Sequence, residues 1–139
     1  MKKLFSTHVS DNAFSFALLL FRLGVGGLML ANHGWDKLSH FAQKAQRFSD
    51  PFNIGSTTSL SLVVFAEFFC AAFVILGLFT RLAAIPLVIA MSVAFYNAHN
   101  LNYGAGKGGG ETALLFLVSF IVILIMGPGR LSLDRFVGK

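Results

Sequence analysis

Two ionisable residues, Arg22 and Glu67, lie within separate apolar segments and are the first candidates for chemistry in this chain. A charge at the centre of a bilayer costs about 3 kcal/mol or more unless it is paired or faces a polar interior. A guanidinium can hold a carboxylate, a sulfur oxyanion or a quinone carbonyl, and a carboxylate can accept and release a proton. We therefore expect Arg22 and Glu67 to pair inside the protein, either within a site or as an ion pair that only fixes helix packing.

Further polar side chains are found where the apolar segments end. If these segments are antiparallel helices, the polar side chains meet at one membrane face and form the mouth of a pocket. The residues predicted to transfer protons are Glu67, His99 and Glu111, and those predicted to bind a substrate are Arg22, His33, Asp36, Lys37 and Asn97. The alternative for the two histidines is ordinary hydrogen bonding at the membrane interface. We predict no metal site.

The composition indicates that membrane helices position these residues. Of the 139 residues, 55% are hydrophobic and 12% are charged, and the mean hydropathy is +0.73. A soluble domain has about twice that charged fraction. One small core cannot bury so much apolar surface, so the solvent must be lipid. The net charge of +5 is scattered without a basic stripe, which argues against nucleic-acid binding and favours anionic lipid headgroups.

Four apolar segments, residues 13–31, 60–79, 82–98 and 112–126, approach the about 17 to 25 residues needed to cross a bilayer. We predict an all-α membrane protein with a four-transmembrane-helix bundle in a single domain over residues 1–139. The short connection at Thr80 and Arg81 predicts an antiparallel hairpin of the two middle helices. Gly24, Gly27 and Ala31 predict close helix packing along one side of the first span.

A short interfacial helix is predicted after the first span, over residues 38–49. Leu38, Phe41, Ala45 and Phe48 recur at helical spacing, with polar residues on the opposite side. Such a helix lies on the membrane surface as an anchor, or covers the bundle as a lid.

Orientation follows from the lysine and arginine residues outside the spans. If both termini are inside, six lie on the inner side and four on the outer side, which favours cytoplasmic termini. The inner set is Lys2, Lys3, Arg81, Arg130, Arg135 and Lys139, and the outer set is Lys37, Lys44, Arg47 and Lys107. The single cysteine, Cys70, excludes a disulfide within the chain, and we assign it no reaction.

Three motifs together resemble the DoxX family over nearly the whole chain. They are Arg22-x-Gly24 with Gly34-Trp35-Asp36-Lys37-Leu38, then Glu67 followed by Gly77-Leu78-Phe79-Thr80-Arg81-Leu82-Ala83-Ala84, then Glu111 followed by Gly127-Pro128-Gly129-Arg130-Leu131-Ser132-Leu133-Asp134. The resemblance implies a four-helix, multi-pass protein of the bacterial inner membrane. It also implies that the recurrent polar sites of the family fall on Arg22, Lys37, Glu67, Arg81, Glu111, Arg130 and Asp134.

The same resemblance implies a subunit of a quinone-linked oxidoreductase. In that interpretation a quinone or a small sulfur or carbonyl compound binds within the bundle, and the partner is a soluble redox protein or a second copy of the chain. Arg22 would clamp the ligand, Glu67 would carry protons, and His99 with Glu111 would connect the pocket to outer water.

Two alternatives from other functional classes remain open. The first is a carrier of protons or small solutes that uses the same buried charges. The second is a scaffold that docks a soluble redox enzyme at the membrane, in which case the buried pair is only structural.

Overall fold

Six helices make up the protein in a computed structural model that describes residues 4–106 and 108–138. In chain order they are α1 (Asp11–Ser39), α2 (Phe41–Lys44), α3 (Ser56–Leu76), α4 (Thr80–Ala98), α5 (Glu111–Met126) and α6 (Asp134–Val137). The lysines at positions 2, 3, 107 and 139, which entered the orientation prediction, lie outside the described residues.

Three of these helices, α1, α3 and α4, are long and apolar enough to cross a membrane. The fourth apolar helix, α5, has 16 residues, which corresponds to about 24 Å against a hydrocarbon core of about 30 Å. The prediction of an all-α membrane protein is thus confirmed, and α1 packs on α3, α3 on α4, α4 on α5, and α5 back on α1.

The bundle has two ends, which we name by their connections. At the hairpin end, α1 begins, residues 77–79 turn between α3 and α4, and residues 127–135 follow α5. At the loop end, residues 40–55 and 99–110 connect the helices. The predicted hairpin turn at Thr80 and Arg81 lies slightly earlier, because Gly77 and Phe79 adopt left-handed backbone conformations with φ of 69° and 48°.

The interfacial segment differs from the single helix expected over residues 38–49. The chain leaves the helical conformation at His40 and forms only the four-residue α2 before a turn. Its apolar side chains, including Phe41 and buried Ala45, pack against Leu60 and Val64 of α3. The amphipathic pattern therefore reflects packing on the bundle.

Asp50 closes the loop that follows α2. Its carboxylate accepts hydrogen bonds from the backbone N–H groups of Ile54 and Gly55 and from the hydroxyl of Ser59, at 2.8 to 3.0 Å. Burial opposes the charge, but these three bonds together outweigh it and lower the pKa of Asp50 below its usual value.

A small residue of α1 allows close helix packing, but it is Gly26 and not the predicted Gly24 or Gly27. A Cβ added at Gly24 or Gly27 would meet nothing within 4 Å, so the packing prediction for these two glycines is wrong. A Cβ at Gly26 would lie 2.8 Å from the Ile75 side chain. Gly26 is one of the buried residues of α1, whereas Gly24 and Gly27 are not.

The segment after α5 locks the hairpin end. The carboxylate of Asp134 accepts the backbone N–H groups of Phe79 and Thr80, at 2.6 and 2.9 Å, and so caps the first turn of α4. The backbone N–H of Asp134 in turn donates to the carbonyl of Gly77 at 2.8 Å. Arg81 donates to the carbonyl of Ile125 at 3.1 Å. These residues of the hairpin and C-terminal motifs therefore have visible structural roles.

Candidate functional site

A buried ion pair joins α1 to α3. The ammonium of Lys37 lies 2.6 Å from Oε2 of Glu67, and the two side chains are 19% and 5% exposed. Both residues belong to helices that are apolar enough to span a membrane. A carboxylate so nearly removed from solvent requires a counter-charge, and Lys37 provides it.

The backbone around this pair is unusual on both helices. Residues Leu30–Gly34 of α1 and Phe65–Cys70 of α3 are π-helical. Such wide turns frequently occur at functional sites, because they change the direction of side chains within a helix. Here one π-helical segment precedes Lys37 and the other contains Glu67, so both helices depart from α-helical geometry near the pair.

Gly34 permits the close approach of the two helices at this point. A Cβ there would lie 2.7 Å from the carbonyl carbon of Glu67 and 2.8 Å from Cα of Phe68, which no real side chain tolerates. The α1 backbone therefore lies directly against the α3 backbone beside Glu67. One turn further along α1, Lys37 is then close enough to reach the carboxylate.

The predicted pairing of Arg22 with Glu67 is wrong. Arg22 is fully buried, and its guanidinium donates to the backbone carbonyls of Val74 at 3.1 Å, of Ile75 at 3.4 Å, and of Leu131. These carbonyls lie at the end of α3 and in the segment after α5. Arg22 therefore ties three parts of the hairpin end together.

The error in that prediction came from helix register. The apolar segments 13–31 and 60–79 are nearly equal in length, whereas α1 has 29 residues and α3 has 21. Gly34 of α1 lies against the backbone of Glu67. Gly34 is twelve residues from Arg22, which corresponds to about 18 Å along the axis of α1. Compared with α3, α1 extends further at the hairpin end, where Gly129 packs against Leu18.

Two other predicted residues lie near the ion pair. His33 lies within electrostatic range of Glu67, Lys37 and Asp36. Its ring meets that of Phe116 on α5 edge to face, with centroids 5.5 Å apart. Asp36 is turned toward the loop end, where its carboxylate pairs with Lys44 and lies 3.3 Å from the His40 ring.

The remaining predicted residues lie apart from this pair at the loop end. Asn97 donates to the carbonyl of Val93 within its own helix at 3.3 Å. The His99 ring lies 3.4 Å from the carbonyl of Gly108 in the glycine-rich loop. Glu111 is exposed at the first turn of α5. In the part of the chain that the structure describes, no hydrogen bond or ion pair joins Asn97, His99 or Glu111 to Lys37 or Glu67.

Sequence reasoning placed Lys37 at the mouth of a pocket and missed its role as the partner of Glu67. The signal that was available is the length of the helical pattern, which continues beyond Ala31 through residues 35–39 without a proline. A longer α1 carries Lys37 along the outer turns of α3. Among residues 4–106 and 108–138, no group of three or more His, Cys, Asp or Glu side chains is placed to hold a metal ion.

The fold and this site define an all-helical membrane protein with an ion pair set between two of its spans. The DoxX family model matches residues 17–100, and the chain belongs to the DoxX family. The match includes the buried Arg22 and Glu67 and the half-buried Lys37.

Relatives of this chain are found in two bacteria. An uncharacterized protein of Haemophilus influenzae is 31% identical over 107 residues, covering 76% of this chain and 71% of its own. An uncharacterized membrane protein of Mycobacterium tuberculosis is 37% identical over 84 residues, with 52% of each chain covered. A second uncharacterized Haemophilus influenzae protein is 41% identical over 69 residues, covering 44% of this chain and 48% of its own. No solved structure matches the chain.

Proposed function

We propose that this protein is a subunit of a quinone-linked oxidoreductase of the bacterial inner membrane, with a binding site at Lys37 and Glu67. The observation that carries the proposal is the 2.6 Å ion pair between these residues inside the bundle, with Glu67 only 5% exposed. Ionisable residues inside membrane spans typically mark ligand or proton pathways. A small sulfur or carbonyl compound with the same acceptor chemistry would use the same groups.

The donor set fits a quinone carbonyl. Lys37 has three N–H donors and uses one for Glu67, which leaves donors for a carbonyl oxygen. The aromatic rings of Phe68 and Trp35, with centroids 6.3 Å apart and planes inclined at 37°, are adjacent in sequence to Glu67 and Asp36 and offer an apolar surface. A quinone bound here would accept two electrons and two protons, with the electrons supplied by a redox partner.

In this proposal Glu67 holds the proton that is transferred. It lies within hydrogen-bond distance of Lys37, which is itself partly exposed. Protonation of Glu67 releases the Lys37 ammonium, so that the lysine can donate to a ligand while the carboxyl group donates its proton. His33 and Asp36 complete the binding region as polar neighbours.

The other predicted site residues keep more distant roles in the proposal. His99 and Glu111 exchange protons with water at the loop end, and Asn97 lines the same surface. Arg22 is assigned a structural role, because its two terminal guanidinium nitrogens donate to backbone carbonyls at the hairpin end.

A carrier function is less well supported by the geometry. A carrier needs polar groups along a path between the two membrane faces. Between Lys37 with Glu67 and the buried Arg22, the core contains apolar residues such as Met29, Cys70 and Ala71. These apolar residues separate the two charged regions, which suits an enzyme subunit better than a carrier.

The membrane topology is part of the proposal. We propose that α5 is the fourth span, that residues 1–139 form a single DoxX-like domain, and that both termini are cytoplasmic. The count of basic residues favours this orientation. A reporter enzyme fused to the C-terminus should be active only on the cytoplasmic side, and activity on the outer side would reverse the orientation.

Quinone binding can be measured with the only tryptophan of the chain. Trp35 lies two residues before Lys37 and is 58% exposed. Titration of the purified protein with a short-chain ubiquinone should quench its fluorescence in a saturable way. The variant Lys37→Met with Glu67→Gln should show only linear, collisional quenching. Lys44→Met is the matched control, because it removes a lysine from an exposed pair. Equal saturable quenching in all three proteins would refute the proposal.

A further inference from the structure

A second polar site lies at the hairpin end, far from Lys37 and Glu67. An open cleft of about 800 Å³ is formed where α1 begins and where the chain continues after α5. Its polar lining includes Asn12, Ser15, Arg130 and Arg135. We propose that this cleft binds the headgroup of an anionic phospholipid.

One hydroxyl group of the cleft is placed to bind a ligand. Ser15 is only 4% exposed as a residue, lines the cleft, and takes part in none of the side-chain hydrogen bonds between described residues. Its hydroxyl can donate to a phosphate oxygen in the cleft.

The charges of the cleft suit a phosphate group. Arg130 and Arg135 are exposed, and Arg135 forms no ion pair with any residue in the described ranges. Arg130 pairs with Asp11 at 2.6 Å, but the two side chains are 60% and 73% exposed, so this pair exchanges easily with a ligand. The carboxylate of Asp134 is already engaged by the N–H groups of Phe79 and Thr80.

The surface beside the cleft suits acyl chains. Phe16 lines the cleft and is 60% exposed, and it is followed on the same face of α1 by Leu20 and Leu23, which are 62% and 45% exposed. This apolar stripe leads from the arginines into the membrane-spanning part of α1. A free phosphate ion would use the arginines and Ser15 but not this stripe, so the combination points to a lipid.

Native mass spectrometry of the full-length protein in a non-ionic detergent tests this inference. The probes are dioleoylphosphatidylglycerol and dioleoylphosphatidylcholine, and inorganic phosphate at millimolar concentration is the competitor. The wild-type protein should bind phosphatidylglycerol more tightly than phosphatidylcholine, and phosphate should not displace the lipid. Each of Arg130→Gln and Arg135→Gln should weaken phosphatidylglycerol binding about fivefold.

Two further variants separate the site from general effects of charge and folding. Ser15→Ala should weaken both lipids about equally, by roughly two- to fivefold, because both carry a phosphate. Arg47→Gln removes an exposed arginine at the loop end and should leave lipid binding unchanged. Arg135 has no ion pair within the described chain, so its replacement tests the site without disturbing the fold. The inference is overturned by equal binding of the two lipids, by wild-type affinity in Arg135→Gln, or by displacement of the lipid by inorganic phosphate.

Discussion

Replacement of Lys37 by Met should destabilise the protein in a pH-dependent way. The substitution keeps the length of the side chain but leaves the carboxylate of Glu67, at 5% exposure, without its counter-charge. Removal of one partner of a buried ion pair costs about 3 to 5 kcal/mol. The loss is limited, however, because the carboxylate can take up a proton.

The limit can be worked out from ordinary glutamate chemistry. Keeping a glutamate neutral costs about 1.36 kcal/mol for each pH unit above its solution pKa of about 4.3, so the cost at pH 7 is about 3.7 kcal/mol. At pH 5 the same cost is only about 1 kcal/mol. The sign follows from linkage: the variant binds a proton in the folded state that the unfolded state releases, so its relative stability falls as the pH rises. We expect Lys37→Met to lose about 3 to 4 kcal/mol at pH 7 and about 1 kcal/mol at pH 5.

Equilibrium unfolding in mixed micelles with increasing dodecyl sulfate measures this difference. The double variant Lys37→Met with Glu67→Gln should recover most of the loss, because neither charge remains. The control is Lys44→Met, whose partner Asp36 is 49% exposed, so a loss below about 1 kcal/mol is expected. A loss for Lys37→Met that is the same at both pH values, or that the double variant does not recover, would refute this reasoning.

Three further predictions concern the packing and the loops. Gly34→Ala should cost about 1 to 3 kcal/mol because its Cβ would press on the α3 backbone, whereas Gly24→Ala, in open space on the same helix, should be neutral or stabilising in the same unfolding assay. Asp134→Ala removes the cap of α4 and should cost about 0.5 to 2 kcal/mol, and a wild-type unfolding midpoint would contradict that assignment. The lowered pKa of Asp50 means that its contribution to stability is present above the unfolded-state pKa and is lost as the pH falls through the lower folded-state value. Asp50→Asn should therefore be less stable than the wild type at pH 7 but equal to it in strong acid, and a constant difference would contradict this.

Much of the fold could be predicted from the sequence because lipid imposes a simple rule. Apolar runs of sufficient length must be helices, and all four predicted segments are helical in the structure apart from residues 77–79. The interfacial segment was harder, because apolar residues at helical spacing are equally expected on a membrane surface and against α3. Only the packing of Phe41 and Ala45 on Leu60 and Val64 distinguishes the two.

The candidate site could be predicted in its residue types but not in its pairs. Arg22, Lys37 and Glu67 were all identified from their charge, yet the choice between two cations for one carboxylate depends on register. Register here depends on two π-helical segments and on the contact of Gly34 with the α3 backbone. The ends of the apolar segments in the sequence carry none of that information. Arg22 also donates to backbone carbonyls, and such partners cannot be recognised from the types of the side chains.

The proposed function depends on the binding of a quinone at Lys37 and Glu67. The most direct measurement is native mass spectrometry of the protein extracted gently from its own membranes, with the bound small molecules identified by their masses. We predict that the wild-type protein and Lys44→Met retain a quinone, whereas Lys37→Met with Glu67→Gln is folded and carries none. Retention of the same quinone by the folded double variant, or its absence from the wild-type protein, would contradict the claim.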